Sequence, residues 1–398
     1  MQVKMLDGNG AAVEAIRLVR PGVIAAYPIT PQSSIAEHLS DEVAAERINA
    51  RYIRVESEHS AMSIVIGAQL TGIRAVTATS SVGLALMHEV CGVASGCRVP
   101  LVMPVVNRSL VAPWSLWCDH QDTMAERDTG WMQFYAGNVQ DVLDLYLTAI
   151  RISESENVLT PSMVCLDGFF LSHSMQKVQI PDDDEAFEFV GPYVRRNMYL
   201  DTVDPLFIND LTPTDDYTEM RYQQMMGFHA GYTAAKEVFA AYNQRFGRDL
   251  GIVCGYRLED AEVAVVTIGS MSGTACYVAD QLREQGVKAG VLQIVMFRPF
   301  PAEDVRQALK HIPVVGVIDR SAGLGGQMAP VCTEVAAALY GEHCDVRGYI
   351  GGLAGRDISD FNIRKIFGEL TDIRCGKTQT HNPWFDLKAN PMELREVR

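Results

Sequence analysis

A hydroxyl and a carboxylate each follow a short apolar run near the start of the chain. Thr30 comes after the run at 23–26, within the sequence YPITP, and Glu58 comes after the run at 52–55, within VESEH. The carboxyl ends of parallel strands form the ligand crevice of an open α/β sheet, so both side chains are expected at one small-molecule site. The alternative is a turn threonine between two prolines and a carboxylate that serves only the N-terminus of a helix.

An amide and a guanidinium follow a later apolar run. Asn107 and Arg108 come directly after the run at 100–106. A planar guanidinium binds a carboxylate through paired hydrogen bonds, so Arg108 indicates a substrate that carries a carboxylate. The alternative is an ion pair between Arg108 and an Asp or Glu of the polar loop that follows, such as Asp119 or Asp122.

That polar loop runs from 107 to 130 and contains the sequence DHQD at 119–122. We interpret DHQD as a lid or an interface segment. His120 between two carboxylates is a weak metal motif, because the chain lacks the H-E-x-x-H spacing of metalloenzymes, and no metal site is predicted.

Small residues mark three turns. The sequence TSSVG at 79–83 can present backbone N–H groups to an anion, although an ordinary helix cap explains it equally well. Residues 269–273 and 323–326 resemble phosphate-binding loops but lack the P-loop lysine and the full dinucleotide pattern, so tight turns are favoured there.

Strand-like and helix-like patterns alternate through the first half of the chain. The strand-like runs lie at 23–26, 52–55, 75–78 and 100–106, and a helical pattern follows each of the first three. This alternation predicts an α/β fold with a doubly wound parallel sheet. With right-handed crossovers, one edge of that sheet would carry the residues at the strand ends, Thr30, Glu58, Ser80 and Asn107.

A second α/β unit begins near residue 259, with strands predicted at 263–268, 291–295 and 314–318. We divide the chain into a domain at 1–255, which includes a connecting arm and a long helix at about 168–250, and a smaller domain at 256–398. The long helix carries one apolar stripe, which we interpret as core packing.

Composition narrows the range of partners. The formal net charge of the 398 residues is −15, which argues against nucleic acid. No apolar run approaches the ~20 residues that span a membrane, and the N-terminus lacks a signal-peptide core, so a cytoplasmic protein is expected. The nine cysteines form no C-x-x-C pair, which argues against an iron–sulfur cluster or zinc site in this chain.

Several longer runs together resemble the α subunit of the split-subunit 2-oxoacid:ferredoxin oxidoreductases, and pyruvate:ferredoxin oxidoreductase most of all. The resemblance covers nearly the whole chain. In the first half the runs are YPITPQSS (27–34), ESEHSAM (56–62), TATSSVGLALM (77–87), NRSLVAP (107–113) and DHQDTMAERDTGW (119–131). In the second half they are FGRDLG (246–251), YRLEDAEVAVVTIGS (256–270) and FRPFP (297–301).

The resemblance implies that two chains share thiamin diphosphate. This chain would supply a pyrimidine-type domain of the thiamin-diphosphate fold, followed by a smaller domain like the carboxyl-terminal domain of transketolase. A β subunit would hold the diphosphate and Mg²⁺ through a Gly-Asp-Gly motif, which this sequence lacks. The 4Fe-4S clusters would lie in partner chains, with a γ subunit and a ferredoxin-like cluster subunit or domain completing the complex.

The resemblance also implies a reaction. Pyruvate and coenzyme A would give acetyl-CoA and CO2, and the electrons would pass to ferredoxin. The alternatives are the same machinery acting on oxalate, branched-chain 2-oxoacids or 2-oxoglutarate. A thiamin enzyme without electron transfer and a non-catalytic scaffold subunit are the less favoured interpretations.

The resemblance assigns the cofactor contacts to four residues. Glu58 corresponds to the carboxylate that hydrogen-bonds the aminopyrimidine ring nitrogen, and so favours the tautomer that takes the proton from the cofactor's reactive carbon. Pro28, Ile29 and Ser81 are the other expected cofactor contacts.

The substrate contacts would come from Thr30, Arg108 and Asn107. Arg108 would clamp the carboxylate of the 2-oxoacid, and Thr30 would hydrogen-bond its carboxylate or keto oxygen. Glu58, Arg108 and Thr30 are therefore the expected catalytic residues. Trp114 and Cys118 depart from the expected pattern in the loop after Arg108, so Trp114 either narrows the pocket or faces a neighbouring subunit.

Overall fold

The structure is a computed structural model that describes residues 1–196, 199–377 and 381–388. Its contacts divide the chain into two compact units. The first comprises Met1–Ile252 and Val295–Pro301, and the second comprises Val253–Ile294 and the described residues from Ala302 onward. The contacts thus assign 295–301 to the first unit, whereas our division at residue 255 put it in the second domain. That division stays a prediction.

The first unit is built on parallel strands flanked by helices. Its strands are β1 (Gln2–Leu6), β2 (Val23–Ala26), β3 (Arg51–Arg54), β4 (Ala75–Val76), β5 (Val102–Asn107), β6 (Met132–Tyr135), β7 (Ser162–Asp167), β8 (Gln176–Ile180) and β12 (Met296–Arg298). Its helices are α1 (Gly8–Leu18), α2 (Ser33–Ala44), α3 (Glu58–Leu70), α4 (Ser81–Leu86), α5 (His88–Gly96), α6 (Gln121–Ala125), α7 (Val139–Ser153), α8 (Asp183–Val190) and α9 (Thr214–Phe246).

Two groups of strands form the sheet that positions the site. One has the order β3-β2-β4 and is parallel throughout; the other has the order β12-β6-β7-β5, in which only β12 is antiparallel to its neighbour. A parallel bridge between Thr79 and Val105 connects the two groups. Strands β5 and β7 are buried along their whole length, as expected for a parallel sheet covered on both faces. The predicted doubly wound parallel sheet is confirmed.

The strand order creates the crevice. Strand β2 pairs with β3 on one side and with β4 on the other, so the chain changes direction across the sheet at this point. In open α/β sheets such a switch point is where ligands bind, beyond the carboxyl ends of the strands. The segments that follow β2, β3, β4 and β5 carry Thr30, Glu58, Ser81 and Arg108.

The long helix α9 differs from the expectation of a continuous core stripe. Near its C-terminus Phe239, Tyr242 and Phe246 are buried, whereas Tyr217 and Met225, nearer its N-terminus, are about half exposed. The stripe therefore belongs to the core only where other elements of the first unit cover it. Among the described residues, none of the helices is both long and apolar enough to cross a membrane.

The second unit holds a five-stranded sheet of order β14-β13-β10-β11-β9, in which only β9 is antiparallel to its neighbour. Its strands are β9 (Val253–Tyr256), β10 (Val263–Thr267), β11 (Ala289–Ile294), β13 (Val314–Asp319) and β14 (Asp345–Ile350). Its helices are α10 (Met271–Glu284), α11 (Ala302–Leu309), α12 (Pro330–Ala338) and α13 (Asp360–Arg374), with a 3-10 turn at Leu353–Gly355. Apolar side chains of β10, β11, α10 and α13 form its core.

Candidate functional site

Glu58 is the first residue of α3. The hydroxyl of Ser57 caps this helix by accepting a hydrogen bond from the Ser60 N–H at 3.2 Å. A carboxylate in the first turn is favoured by the helix dipole, but the Glu58 side chain is also buried. Burial raises its pKa above the usual range. Among the described residues, no side chain hydrogen-bonds its carboxylate.

Gly83, in α4, lies against that carboxylate. A Cβ added to Gly83 would lie 2.5 Å from Glu58 Oε1 and 2.6 Å from Thr79 Oγ1. The missing side chain therefore leaves the space that the Glu58 carboxylate occupies. Within the described ranges, the buried hydroxyls of Thr79 and Ser80 have no hydrogen-bond partner.

Arg108 follows directly after β5 and is 5% exposed. Its Nη1 donates to the carbonyl oxygen of Thr30 at 2.9 Å, and its Nε donates to the carbonyl oxygen of Ser115 at 3.1 Å. In the part of the chain that the structure describes, its guanidinium hydrogen-bonds no carboxylate. Burial lowers its pKa, as expected for a cation removed from water.

The loop between β2 and α2 carries Thr30. The buried side chain of Asn9 holds this loop by donating to the carbonyl oxygen of Pro31 at 2.8 Å and to Ser34 Oγ at 2.7 Å. Thr30 itself is exposed, and so its hydroxyl is open to a ligand while its carbonyl binds Arg108. Thr30 and Arg108 are thus brought together as the sequence predicted for two strand ends.

The remaining expected cofactor contacts lie on this loop and on α4. Pro28 is exposed and Ile29 is half-buried. Ser81 is fully buried, and its hydroxyl donates to the carbonyl oxygen of Ser109 at 2.5 Å. Its backbone φ of +49° lies in the left-handed region, which costs a non-glycine residue about 1–2 kcal/mol.

Asn107 and Ser81 both bond to a residue that the sequence did not single out as a site residue. The carboxylate of Asp122 accepts hydrogen bonds from Asn107 Nδ2 at 2.8 Å and from the Ser81 N–H at 3.0 Å. It also accepts the main-chain N–H of Arg108 at 3.0 Å. The alternative interpretation, an ion pair between the Arg108 guanidinium and Asp122, is therefore wrong, because Asp122 binds the main-chain N–H of Arg108 instead. Among the described residues, Asn107 Oδ1 has no hydrogen-bond partner.

The segment DHQD is buried, and its interpretation as a lid is wrong. Asp119, His120 and Asp122 are each 2% exposed or less. His120 Nε2 lies 2.7 Å from Asp167 Oδ1, which anchors the segment to the end of β7. The segment could not be recognised as buried from sequence because all four of its residues are polar or charged.

Cys118, His120 and Asp167 are buried together, with ligand-type atoms within 4.8 Å of one another. Two ligands of one tetrahedral metal ion lie roughly 3.4 Å apart, given metal–ligand bonds of about 2.1 Å. The 2.7 Å between His120 and Asp167 is instead a hydrogen-bond distance. The arrangement as it stands is a hydrogen-bonded pair, and the absence of a metal site from this chain stays a prediction.

The loop after Arg108 exposes apolar side chains. Trp114 is 75% exposed, and Val111 and Trp117 are about half exposed. Trp117 also contacts Phe169, with ring centroids 4.4 Å apart. Among the described residues Trp114 therefore fills no pocket.

Comparison with known proteins decides the family. A family model described as pyruvate flavodoxin/ferredoxin oxidoreductase, thiamine diphosphate-binding, matches residues 14–240. A second model, described as pyruvate:ferredoxin oxidoreductase core domain II, matches residues 261–363. The chain belongs to the pyruvate:ferredoxin oxidoreductase family. The resemblance drawn from the sequence motifs is confirmed.

Two relatives of known function illustrate the family. Pyruvate synthase subunit PorA of Methanothermobacter thermautotrophicus is 43% identical over 368 residues, which cover 92% of this chain and 94% of the relative. The alpha subunit of the NADH-dependent phenylglyoxylate dehydrogenase of Aromatoleum evansii is 38% identical over 398 residues, which cover 97% of this chain and 95% of the relative.

Two solved structures share the fold. The 2-oxoglutarate:ferredoxin oxidoreductase of Magnetococcus marinus has a TM-score of 0.69 at 17% identity, and the match covers 92% of this chain and 65% of that longer chain. A split-gene transketolase, an inactive β4 tetramer, has a TM-score of 0.56 at 12% identity and matches over 93% of this chain and all of its own. The predicted fold class, a thiamin-diphosphate domain followed by a transketolase-C-like domain, is confirmed.

The environment of Glu58 fits the pyrimidine ring of thiamin diphosphate. A buried carboxylate with a raised pKa and no side-chain partner among the described residues can share a proton with an aromatic ring nitrogen. The space beside Gly83 lets that carboxylate approach α4 closely. Glu58 would hold the ring, and a diphosphate-binding Gly-Asp-Gly motif is absent from the sequence.

Proposed function

We propose that this chain is the α subunit of a pyruvate:ferredoxin oxidoreductase, which converts pyruvate and coenzyme A to acetyl-CoA and CO2 and passes electrons to ferredoxin. The observation that carries the proposal is the Arg108 guanidinium, which is buried and, within the described residues, hydrogen-bonded only to carbonyl oxygens. A buried cation without a bonded anion is costly. The carboxylate of a 2-oxoacid supplies that anion.

Glu58 acts on the cofactor side of the site. Thiamin diphosphate, when bound, supplies the nucleophilic carbon that adds to the keto carbon and takes up the electron pair left by CO2. Glu58 Oε1 or Oε2 holds a proton between itself and the pyrimidine ring nitrogen, and burial, which raises the pKa of Glu58, favours that sharing.

Arg108, Thr30 and Asn107 act on the substrate side. Arg108 uses the guanidinium nitrogens that the Thr30 and Ser115 carbonyls leave free to clamp the substrate carboxylate. The exposed hydroxyl of Thr30 donates to the carboxylate or keto oxygen. The side-chain nitrogen of Asn107 already donates hydrogen bonds to Asp122 and Thr123, and so only its Oδ1 is available to a ligand.

Pro28, Ile29 and Ser81 remain proposed cofactor contacts. Pro28 and Ile29 lie on the same loop as Thr30, which follows the carboxyl end of β2. Ser81 offers only the lone pairs of its hydroxyl, because its N–H and O–H both donate within the chain.

Partner subunits complete the machinery. We place Mg²⁺ and the diphosphate on a β subunit, and the 4Fe-4S clusters on a γ or ferredoxin-like chain, because the cysteines of this chain form no C-x-x-C pair. The exposed apolar side chains of Val111, Trp114 and Trp117 suit burial against such a partner. We place the complex in the cytoplasm.

The choice of 2-oxoacid is tested with a panel. The complex purified with this chain is assayed for viologen reduction with coenzyme A and pyruvate, oxalate, 2-oxoisovalerate, 2-oxoglutarate or phenylglyoxylate. Phenylglyoxylate is included because the Aromatoleum evansii relative is named for it. Highest kcat/KM with pyruvate supports the proposal, and a different preferred acid keeps the machinery but contradicts the substrate.

The same preparation separates the two other interpretations. Decarboxylation of pyruvate without viologen reduction would identify a thiamin enzyme without electron transfer. A complex that contains this chain but neither thiamin nor 2-oxoacid activity would identify a scaffold subunit.

A further inference from the structure

We propose that Asp122 is a positioning residue that fixes the main chain of Arg108 and of α4 in the arrangement that binds the 2-oxoacid. The proposal rests on the proposed role of Arg108. It adds a buried carboxylate that touches neither substrate nor cofactor but holds the residues that do.

The two oxygens of Asp122 receive four donors. Oδ2 accepts the main-chain N–H groups of Ser81 and Arg108, each at 3.0 Å. Oδ1 accepts Asn107 Nδ2 at 2.8 Å and the N–H of Thr123 at 2.8 Å. Each oxygen therefore has its acceptor capacity filled by N–H groups, and the side chain is 1% exposed.

A single oxygen atom joins two strand ends. Ser81 begins α4 just beyond β4, and Arg108 comes directly after β5. Their N–H groups converge on Oδ2, so any shift of one backbone segment moves the acceptor of the other. Gly83, two residues after Ser81, is the residue against which the Glu58 carboxylate lies. Asp122 thus connects the backbone of the substrate arginine to the helix beside the cofactor carboxylate.

The geometry requires a carboxylate at this position. Asparagine has the same shape, but its NH2 group would replace one of the two oxygens. That NH2 group would face two N–H donors, either those of Ser81 and Arg108 or those of Asn107 and Thr123. The left-handed backbone conformation of Ser81 is a second reason why the Asp122 carboxylate is needed, because such a conformation persists only where surrounding contacts fix it. The N–H bond to Asp122 and the hydroxyl bond to Ser109 are those contacts.

The test compares complexes that carry Asp122→Asn with two control variants. Asp144→Asn removes another buried carboxylate, which binds Tyr242 and Arg248 away from the site, and Asp128→Asn removes an exposed carboxylate on the same segment. Asp122→Asn should raise KM for the 2-oxoacid about 10- to 100-fold, since small displacements of a positioning group have effects of that size. KM for coenzyme A should stay unchanged, and both control variants should keep the wild-type KM for the 2-oxoacid.

A second measurement needs no turnover. Amide hydrogen exchange should accelerate at Ser81 and Arg108 in Asp122→Asn but not in the controls. If the wild-type complex uses no 2-oxoacid, the proposed function fails, and exchange alone then decides whether Asp122 anchors the two segments. An unchanged KM together with unchanged exchange overturns the inference, and so does an equal effect of Asp144→Asn.

A double variant distinguishes a positioning role of Asp122 from a role in folding alone. In Asn107→Asp/Asp122→Asn the hydrogen bond between the two side chains is reversed: the amide of residue 122 donates to the carboxylate of residue 107, and its oxygen accepts the N–H groups of Ser81 and Arg108. The Thr123 N–H, which donates to Oδ1 of Asp122 in the wild type, loses that acceptor, so the recovery is partial. This variant should recover part of the 2-oxoacid affinity lost in Asp122→Asn. If Asp122→Asn fails to assemble and the double variant does not recover, Asp122 is a folding residue and the positioning role is rejected.

Discussion

The Glu58 carboxylate lies where a side chain on Gly83 would be: a Cβ at Gly83 would be 2.5 Å from Glu58 Oε1. This contact relates the first turn of α3, which follows β3, to α4, which follows β4. Real Cβ atoms do not approach an oxygen this closely, so the absence of a side chain at residue 83 sets the position of the proposed cofactor carboxylate.

Gly83→Ala should therefore displace Glu58 without removing it. We expect kcat with pyruvate to fall about tenfold or more, since a catalytic group moved by ~1 Å loses activity on that scale. Thiamin content and activity of the purified complex measure the effect. Gly92→Ala is the matched control, because a Cβ on Gly92, in helix α5, would meet nothing within 4 Å. Equal activity of the two variants would contradict the proposed role of the contact.

Arg108→Ala should chiefly raise KM for the 2-oxoacid. A hydrogen bond to a charged group contributes about 1.5–3 kcal/mol, so an increase of roughly 10- to 100-fold is expected. Arg108→Lys should recover little of it, because a lysine cannot form the paired hydrogen bonds. Steady-state kinetics with pyruvate and coenzyme A varied separately provide the measurement. A change confined to the KM for coenzyme A would reject the assignment.

Sequence reasoning could find the proposed substrate and cofactor residues for a simple reason. Glu58 and Arg108 each follow an apolar strand, and the carboxyl ends of parallel strands meet at one edge. From the sequence, Asp122 could be recognised only as a possible ion-pair partner of Arg108. Three of its four hydrogen-bond donors are main-chain N–H groups, including that of Ser81, 41 residues earlier, and a backbone donor leaves no pattern in a sequence.

Other parts of the fold depend on contacts between distant segments. Strand β12 pairs with β6, more than 150 residues earlier in the chain, and a run of three residues carries too little periodicity to reveal such pairing. The apolar stripe of α9 has a correct helical period, but period alone does not say which turns are covered. Only the turns that meet the first unit are buried.

Asp144 should make stability depend on pH. This buried carboxylate accepts a hydrogen bond from Tyr242 and pairs with Arg248, yet burial dominates and raises its pKa from 3.8 to about 6. Between about pH 4 and about pH 6, Asp144 therefore keeps its proton in the folded chain but has released it in the unfolded chain. The stabilisation from that proton is present below about pH 4 and is lost as the pH rises through about 6.

Asp144→Asn cannot titrate and so isolates this contribution. The free energy of unfolding of wild type minus that of the variant should fall by about 1–2 kcal/mol between about pH 5 and about pH 7.5. Urea unfolding of both complexes over this range provides the measurement. A difference that stays constant, or rises with pH, would show that the folded pKa of Asp144 is not raised.

The central claim is that the buried carboxylate of Glu58 serves the thiamin chemistry of pyruvate oxidation. The most direct test is pyruvate-dependent viologen reduction, with coenzyme A, by complexes that carry wild-type chain, Glu58→Gln or Glu56→Gln. Glu56 is exposed, two residues earlier, and so controls for the change of charge. Glu58→Gln should assemble with its partners and lose about 100-fold or more of kcat, while Glu56→Gln keeps wild-type activity. Full activity in an assembled Glu58→Gln complex would contradict the account.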